Sequence, residues 1–261
     1  MNSNILQDII DNKRREIAAL NAKGSNRLTE LMSHIFLNPP ASMKAAIKES
    51  DSGIIAEFKR RSPSKGEIHP LALVNEIIPA YEAAGAAACS VLTDAAYFGG
   101  ALSDLALAAE CTQLPLLRKD FIIDERQIYE ARIFGASAIL LIAAVLSFDE
   151  ITRFTSLAHK LGMEVLLELH TTADLDKFIP EADMVGINNR DLTSFKTDTN
   201  ISLRLISELP ADITKIAESG ISSPKELRRL REAGFDGFLI GERFMSRQFP
   251  GNALKEFING I

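Results

Sequence analysis

Residues 54–66 combine apolar, acidic and basic side chains in an order that could place acid–base chemistry at the end of a strand. Side chains alternate between the two faces of a strand, so Ile55, Glu57 and Lys59 share one face. Carboxylate and ammonium groups are seldom buried unless they are paired. The Ser-Pro-Ser-Lys-Gly turn that follows offers hydroxyl and amide donors for an anion, and Ser62 is a candidate substrate contact. Taken alone, the segment is equally compatible with a strand that ends in a solvated basic loop.

The same order of residues recurs where four later strand-like segments end. The polar side chains that share one phase at those ends are Lys119, Glu168, Asn188, Arg190 and Glu218. With Glu57 and Lys59 they would set three carboxylates against three cations at one site, a balance that a partly desolvated cluster requires. A single charge at a strand end usually marks the point where the chain meets water. Chance would scatter several such residues over both faces, and their shared phase therefore predicts an active site.

Neighbouring polar residues are assigned no chemistry. His170 lies in phase with Glu168 but just past the strand end, which is more typical of a loop or supporting residue than of a catalytic one. Arg118 and Asp120 lie on the opposite face of their strand, where we expect them to meet water or to pair structurally. No cluster of histidine, cysteine and carboxylate residues has the spacing of a metal site, so no metal is expected.

Small residues at the last two strand ends predict a phosphate site. Ser219 and Gly220 follow Glu218, and Gly241 and Glu242 follow the final strand-like segment. A glycine lets the backbone approach an anion without an intervening side chain. In barrels of alternating strands and helices, the loops after the last two strands often bind phosphate. Glycines that merely turn the chain are the alternative, but two at neighbouring strand ends favour the phosphate site.

Eight strand-like segments alternate with helix-like ones from residue 54 onward. The predicted strands are 54–59, 87–93, 116–119, 138–142, 164–168, 184–188, 215–218 and 237–241. Helical patterns cover 71–84, 125–134, 148–161 and 224–233, and several stop at a glycine that can cap a helix. Apolar strands alternating with helices predict a parallel α/β sheet, and eight successive units favour a (β/α)8 TIM barrel. A doubly wound open sheet is the alternative, but no glycine-rich dinucleotide motif follows any strand.

The front of the chain has helical rather than strand-like spacing. Helices are predicted over 4–20, over 28–36 and from about Ser42 onward, with Pro39-Pro40 interrupting the pattern. We expect residues 1–48 to form an N-terminal helical extension packed on the barrel. Residues 49–261 would then form the catalytic barrel, in a single domain overall.

The composition excludes several classes of function. The 261 residues are 46% hydrophobic and 25% charged, which is typical of a globular protein with a sizeable core. The formal net charge of −6 argues against a nucleic-acid partner. The longest apolar run, 138–146, is too short to span a membrane, and the charged N-terminus does not resemble a signal peptide. Cys89 and Cys111 have no metal-ligand spacing, and we interpret them as core thiols of a cytoplasmic protein.

Several motifs resemble those of indole-3-glycerol phosphate synthase in its monofunctional form. They are IAEFKRRSPSKG at 55–66, SVLTD at 90–94, LRKDFI at 117–122, GINNRDL at 186–192 and ESGI at 218–221. The resemblance extends over essentially the whole chain, including the helical extension. It implies a decarboxylating carbon–carbon lyase of tryptophan biosynthesis. Such an enzyme closes the indole ring of 1-(2-carboxyphenylamino)-1-deoxyribulose 5-phosphate and releases carbon dioxide and water.

The resemblance also implies roles for the residues at the strand ends. By motif, Lys119 corresponds to the general acid and Glu168 to the general base, while Glu57 and Lys59 correspond to catalytic residues of the first strand. The remaining positions that correspond to catalytic or substrate-contacting residues are Asn188, Arg190, Glu218 and Ser219. The family often has Phe-Phe-Gln-Gly where this chain has Tyr-Phe-Gly-Gly at 97–100, and some members have Ser where this chain has Glu242. The second departure affects the side-chain part of the phosphate contact but not the backbone part.

The chemistry of the implied reaction sets requirements for these side chains. A free lysine has a pKa of about 10.4, so we expect burial or the neighbouring Lys59 to lower the pKa of Lys119, and either lysine could donate a given proton. Arg190 suits a planar carboxylate, and Phe121 with Leu140 would form a dry wall for the aromatic ring. No cofactor is needed. We expect a small phosphorylated substrate, no nucleic-acid or membrane partner, and a monomer, with association with other enzymes of the pathway left open.

Two other functions compete with this interpretation. Phosphoribosylanthranilate isomerase is a phosphate-binding barrel of the same pathway, but it uses a Cys/Asp pair, and no cysteine lies at a strand end here. The second competitor is a catalytically silent barrel that binds a phosphorylated ligand or a partner enzyme. An intact set of balanced charges argues against it, because a silent site has no need of them.

Overall fold

Parallel strands close into an eight-stranded barrel in the structure, a computed structural model that describes residues 5–22, 39–190 and 197–261. The strands are β1 (Ile54–Phe58), β2 (Ala88–Leu92), β3 (Leu116–Lys119), β4 (Ala138–Ile142), β5 (Glu164–Leu169), β6 (Met184–Asn188), β7 (Thr214–Glu218) and β8 (Gly237–Ile240). Each strand pairs with its neighbours in chain order, and β1 pairs with both β8 and β2, which closes the barrel. The predicted (β/α)8 barrel is confirmed, and the open-sheet alternative is wrong.

Helices precede the first strand, lie between most successive strands and follow the last strand. They are α1 (Ile5–Ala22), α2 (Met43–Glu49), α3 (Val74–Ala84), α4 (Ala95–Phe98), α5 (Leu102–Cys111), α6 (Glu125–Ile133), α7 (Phe148–Lys160), α8 (Asn200–Leu205), α9 (Pro224–Glu232), α10 (Glu242–Met245) and α11 (Pro250–Ile258). Two 3-10 turns lie at Thr172–Lys177 and Ile206–Glu208, and a short hairpin pairs Arg61–Ser62 with Gly66–Glu67. The helix predicted over 28–36 lies outside the described residues.

Local capping signals explain where several of these helices begin and end. At α9, Ser223 caps the amino end and Pro224 lies in the first turn. The Ser223 hydroxyl accepts a hydrogen bond from the Glu226 backbone N–H, and the Glu226 carboxylate accepts one from the Ser223 backbone N–H. The residues that take left-handed backbone conformations just before β2, β4, β5 and β8 are Gly85, Gly135, Gly162 and Gly234. A glycine takes this conformation without steric cost, so the predicted stop of each helix is confirmed.

The interior of the barrel is filled by the apolar side chains of one strand phase. These inward-facing residues include Ile55, Ala88, Leu117, Leu140, Leu166, Met184, Ile216 and Leu239. Met43 and Ile47 of α2 join the same cluster and are fully buried. Two residues further along a strand the side chain points inward again, which brings Lys119 above Leu117 and Glu168 above Leu166. The common phase of the charged residues therefore directs them into the carboxyl-terminal end of the barrel.

A buried lysine attaches helix α1 to the barrel. Lys13 is 4% exposed, and its Nζ lies 2.9 Å from Asp94 Oδ2 and 3.0 Å from Asp120 Oδ1. Burial by itself lowers the pKa of Lys13, but the two carboxylates outweigh it and raise that pKa above its usual value. Asp120 Oδ2 also lies 3.0 Å from Arg118 Nη2 and accepts a hydrogen bond from Thr93. The expected structural pairing of Arg118 with Asp120 is thus present, and it extends to the first helix.

This network predicts an acid-dependent loss of stability. Burial raises the pKa of Asp120, but Arg118 and Lys13 outweigh it and bring the pKa to about 2. A carboxyl whose folded pKa is lowered stabilises the fold above its unfolded pKa, near 3.9, and loses that contribution as the pH falls through the folded value. We expect Asp120→Asn to lower the free energy of unfolding at pH 7 by about 2 kcal/mol or more, and the deficit to shrink between about pH 4 and pH 2.

Urea unfolding of both proteins across that pH range measures the effect. Asp149→Asn, at an exposed position in the first turn of α7, is the matched control and should leave the pH dependence unchanged. If Asp120→Asn lowers the free energy of unfolding by the same amount at every pH, the Asp120 carboxylate does not owe its stabilising effect to its contacts with Arg118 and Lys13.

Candidate active site

A cavity of about 750 Å³ opens at the carboxyl-terminal ends of the strands. The residues singled out from the sequence that line it are Glu57, Lys59, Ser62, Lys119, Phe121, Leu140, Glu168, Asn188, Arg190, Glu218, Ser219, Gly220, Gly241 and Glu242. They come from seven strand ends that are far apart in the sequence, and the closed barrel brings them together. The volume is within the range of small-molecule sites. His170, in phase with Glu168, is buried beside the cavity but does not line it.

Lys119 lies between two carboxyl groups at the centre of the cavity. Its Nζ is 3.1 Å from Glu168 Oε2 and 3.3 Å from Glu218 Oε2. Both glutamates are at most 2% exposed, so these contacts are shielded from water. A separate pair forms at the end of β1, where Lys59 Nζ lies 2.5 Å from Glu57 Oε1. The site thus contains two lysine–carboxyl groups, one built from the ends of β3, β5 and β7 and one from the end of β1.

The pKa of Lys119 shifts in the opposite direction from the one expected. Burial does lower it, as predicted, but Glu168, Glu218 and Glu57 outweigh burial and raise the pKa above its usual value. The expectation that Lys59 would lower this pKa is wrong, because the nearby acidic groups determine the net direction. The Lys59 ammonium contacts Glu57 instead. Without substrate, Lys119 is therefore a firmly protonated cation.

The two carboxyls beside Lys119 hold different protonation states. Burial raises the pKa of both. At Glu168 the charges of Lys119 and His170 outweigh burial and lower the pKa to about 2. Glu218 faces the ionised Glu168 and keeps a pKa well above the usual range, which lets it donate a hydrogen bond to that carboxylate. Two similar residues are thereby prepared as a base and an acid.

The charge balance across the cavity differs from the predicted one. Arg190 was expected to offset one of three carboxylates, but its Nη2 lies 3.5 Å from Glu242 Oε2. Lys65 Nζ lies 3.2 Å from the other oxygen of Glu242. Glu218 shares Lys119 with Glu168, and burial together with the ionised Glu168 keeps the pKa of Glu218 well above the usual range.

A glycine on β6 makes room for the Glu218 carboxyl. A Cβ at Gly186 would lie 2.1 Å from Glu218 Oε1, well inside contact distance. Gly186→Ala should push that carboxyl away from Lys119, and a displacement of about 1 Å at a reacting group can cost on the order of 100-fold in rate. We expect kcat to fall by about that factor while the melting temperature changes little, because the obstructing atom is the end of a side chain. A variant with native kcat would show that the position of Glu218 is not critical.

The end of β7 turns sharply where phosphate binding was predicted. Ser219 and Gly220 have φ angles of 64° and 77°, and Ser219 is the residue other than glycine with a positive φ in the described part of the chain. A Cβ at Gly220 would lie 2.5 Å from Thr197 Cγ2, so only glycine fits there. Glu242 lies next to this turn among the cavity residues and contacts two cations, Lys65 and Arg190. Lys65 and Arg190, the cations that an anionic ligand would contact, are therefore already paired with the Glu242 carboxylate.

An apolar wall faces the charged groups. The rings of Phe98 and Phe121 lie 6.1 Å apart, and Leu140 and Ile142 of β4 also line the cavity. Helix α1 adds the side chains of Ile5, Leu6 and Ile9. Sequence reasoning missed the contributions of α1, Phe98 and Lys65. Helical spacing predicted α1 but did not indicate which end of the barrel it covers.

Polar contacts also fix the end of β6. Asn188 Oδ1 accepts a hydrogen bond from the Arg190 backbone N–H, and Arg190 Nη1 donates to Ser64 Oγ at 2.8 Å. Asn189 is fully buried and donates to the backbone oxygens of Glu218 and Ser219. Sequence reasoning missed Asn189, whose side chain ties the end of β6 to the turn after β7.

The described residues lack what a metal site, a membrane-spanning helix or a cysteine-based active site at the cavity would require. No group of three or more histidine, cysteine or acidic side chains among residues 5–22, 39–190 and 197–261 is placed to hold a metal ion. None of the helices seen in that same part of the chain is long and apolar enough to cross a bilayer. Cys89 and Cys111 are free thiols, and neither lines the cavity.

Comparisons with known proteins identify the family of this chain. Residues 6–257 match the family described as indole-3-glycerol phosphate synthase. Proteins of that name from Bacteroides thetaiotaomicron and Koribacter versatilis are 50% and 40% identical and cover 98% of this chain, with 98% and 99% of their own lengths matched. Thiamine phosphate pyrophosphorylase from Pyrococcus furiosus matches 84% of this chain and 96% of its own with a TM-score of 0.59 at 14% identity, which supports the fold alone. The chain belongs to the indole-3-glycerol phosphate synthase family.

Proposed function

We propose that this cavity closes the indole ring of 1-(2-carboxyphenylamino)-1-deoxyribulose 5-phosphate, with Lys119 as the general acid and Glu168 as the general base. The observation that carries the proposal is the position of Lys119 between an ionised and a protonated carboxyl in a buried site. The reaction is a decarboxylating carbon–carbon lyase step, which agrees with the family. It needs protons given and taken at nearby atoms, and these groups provide both.

In the first step, a carbon of the aromatic ring attacks the ketone carbon of the sugar chain. The Lys119 ammonium donates a hydrogen bond and then its proton to the ketone oxygen, on which negative charge develops. The new carbon–carbon bond interrupts the aromaticity of the ring. The ring carboxylate then leaves as carbon dioxide. The electron pair of the broken carbon–carbon bond returns to the ring and restores its aromaticity.

The raised pKa of Lys119 does not prevent this transfer. The nearby glutamates raise it against the effect of burial, and the oxyanion formed in the first step is a stronger base than any carboxylate. The raised pKa instead keeps the lysine charged until that oxyanion appears. Stabilisation of the developing charge is then the largest contribution of Lys119.

The second step removes water from the new ring. The hydroxyl formed from the ketone leaves with a proton supplied by an acid, and Glu168 takes the proton that must leave the ring. Lys119, Lys59 and the protonated Glu218 are all placed to supply the acid proton. The pair of Glu57 and Lys59 at the end of β1 offers a proton relay.

We assign the two charged groups of the substrate to different residues of the cavity. We assign the phosphate to Ser219, Gly220, Gly241 and the loop containing Lys65, and the ring carboxylate to Arg190 with Asn188. The aromatic ring would then lie on Phe121, Leu140 and the residues of α1. A phosphate entering this site would compete with the Glu242 carboxylate for Lys65. Ser62, on the loop after β1, completes the set of proposed substrate contacts.

The competing functions explain fewer of these features. An isomerase that uses a cysteine as its acid has no candidate here, because Cys89 and Cys111 do not line the cavity. Burial also raises the pKa of Cys89 well above its usual value, which disfavours the thiolate. A silent binding barrel would not explain two buried glutamates held in different protonation states.

An indole-fluorescence assay tests the proposal directly. Purified protein is mixed with the carboxyphenylamino-deoxyribulose phosphate, with no metal or cofactor added. We expect an indole signal that grows with time and enzyme concentration. Folded protein that gives no signal would refute the lyase assignment, and phosphate-sugar isomerisation would then be tested.

We also propose that the protein acts as a monomer in the cytoplasm. Both cysteines are free, which suits a reducing compartment. Each catalytic group proposed above comes from one chain, so the site does not require a second subunit. Light scattering coupled to size-exclusion chromatography would measure the mass in solution, and a dimer would correct this part of the proposal.

A further inference from the structure

His170 is a buried polar side chain to which the proposed reaction assigns no role. It follows β5 directly, is 7% exposed and does not line the cavity. Neither ring nitrogen makes a hydrogen bond to any other residue in the described part of the chain. Most buried polar side-chain atoms have a hydrogen-bond partner, so an imidazole without one needs an explanation.

The nearest charged group is the proposed general base. His170 Nε2 lies 3.3 Å from Glu168 Oε1, which is an ion-pair distance without the alignment of a hydrogen bond. The other oxygen of the same carboxylate, Oε2, faces Lys119 at 3.1 Å. The Glu168 carboxylate is therefore held between Lys119 on the cavity side and His170 behind it.

The other charged groups around this pair lie on separate elements. Glu218 of β7 shares Lys119 of β3 with Glu168. Asp174, in the 3-10 turn Thr172–Lys177, accepts hydrogen bonds from the backbone N–H groups of His170 and Thr171 and not from the imidazole. The backbone of His170 is thus fixed by Asp174, while its ring remains directed at Glu168.

We propose that His170 is a positioning residue that keeps the Glu168 carboxylate ionised and oriented from behind the cavity. The inference rests on the proposed function, in which Glu168 is the base. Burial disfavours the charged carboxylate, and a base that picks up a proton from solvent is inactive. His170 opposes this protonation without occupying space that the substrate needs, because it lies outside the cavity.

A merely structural role for His170 is the competing explanation. The imidazole would then fill space at the end of β5, and its loss would lower stability and activity at every pH alike. A positioning role makes a different prediction, since loss of the favourable interaction with the imidazole raises the pKa of Glu168. The variant should lose activity mainly on the acid side of the pH profile.

Three variants separate the two explanations. His170→Leu removes the polar ring, and His170→Gln places an amide N–H near the position of Nε2. His159→Leu removes a second histidine with a close carboxylate, whose Nε2 lies 2.9 Å from Asp183 on the protein surface. It is the matched control, because that pair is outside the cavity.

The first measurement is kcat/KM for the carboxyphenylamino-deoxyribulose phosphate between pH 4.5 and pH 9. We expect His170→Leu to move the acid limb to higher pH by about one unit, a loss of roughly tenfold on that limb. His170→Gln should recover part of the shift, and His159→Leu should match the parent protein. An unchanged acid limb in His170→Leu would overturn the inference.

The second measurement does not depend on turnover. The carboxyl carbon of Glu168 is followed by ¹³C NMR during a pH titration of the parent protein and of His170→Leu, and Glu168→Gln identifies the signal. A higher pKa in His170→Leu supports the inference, and an equal pKa overturns it. If the pKa of Glu168 is higher in His170→Leu but the parent protein forms no indole product, the proposed function is refuted. The effect of His170 on Glu168 would still be supported.

Discussion

Lys119→Met should lower kcat by about 10²–10⁴-fold, the usual contribution of a positioned acid or of one group that stabilises a developing oxyanion. Methionine retains much of the length of the side chain but has no charge and no proton to give. The ketone oxygen would then develop its negative charge with only neutral partners or the more distant Lys59. We expect KM to change much less than kcat, because the phosphate and ring carboxylate are assigned to other residues.

The fold should survive this substitution. Removal of one partner of a buried ion pair is costly if the other stays charged, but a buried carboxylate can take up a proton instead. Glu218 already holds one, and Glu168 would follow at a higher pH once Lys119 is gone. Circular dichroism and the melting temperature check the fold, and the indole-fluorescence assay gives kcat.

A second buried lysine provides the control for Lys119→Met. Lys215 is 6% exposed and donates to the backbone oxygens of Ala211 and Ile213, at the opposite end of the barrel from the cavity. Lys215→Met should reduce stability and leave kcat almost unchanged. Near-native turnover in Lys119→Met would remove the general-acid role from that residue and direct attention to Lys59.

The strand ends were predictable because two signals coincide there. Apolar residues of one phase continue into charged residues of the same phase, as Leu117 does into Lys119 and Leu166 into Glu168. The strand pleat keeps both on the interior side, and closure of the barrel brings the ends of all strands to one opening. Local sequence is sufficient for this result, since it requires only alternation along each strand.

The pairing of the charges could not be predicted in the same way. Which cation meets which carboxylate depends on distances across the barrel, between residues that are far apart in the chain. Arg190 meets Glu242 rather than Glu218. Burial and the ionised Glu168 keep the pKa of Glu218 raised, and the glutamates around Lys119 raise the pKa of that lysine. The covering of the cavity by α1 is another long-range property, because it depends on the contacts of Lys13 with Asp94 and Asp120.

Glu168→Gln should also lower kcat by about 10²–10⁴-fold, because the amide retains the shape of the base but cannot accept a proton. The substitution should not leave a buried cation unpaired. Burial and the ionised Glu168 both raise the pKa of Glu218, and with a neutral neighbour that pKa falls. Glu218 would then ionise and pair with Lys119, whose Nζ is already 3.3 Å away. Charge balance and fold should both be retained, so the loss of rate can be attributed to the missing base alone.

Glu164→Gln is the matched control on the same strand. Glu164 begins β5 at the other end of the barrel, where its carboxylate accepts hydrogen bonds from the Ser42 side chain and the Lys44 backbone N–H. Its loss should weaken the start of α2 and lower the melting temperature, with kcat nearly unchanged. If Glu168→Gln kept near-native kcat, Glu168 would not be the base. If both variants lost rate equally, the effect would come from the barrel as a whole, and the chemistry could not be assigned to one strand end.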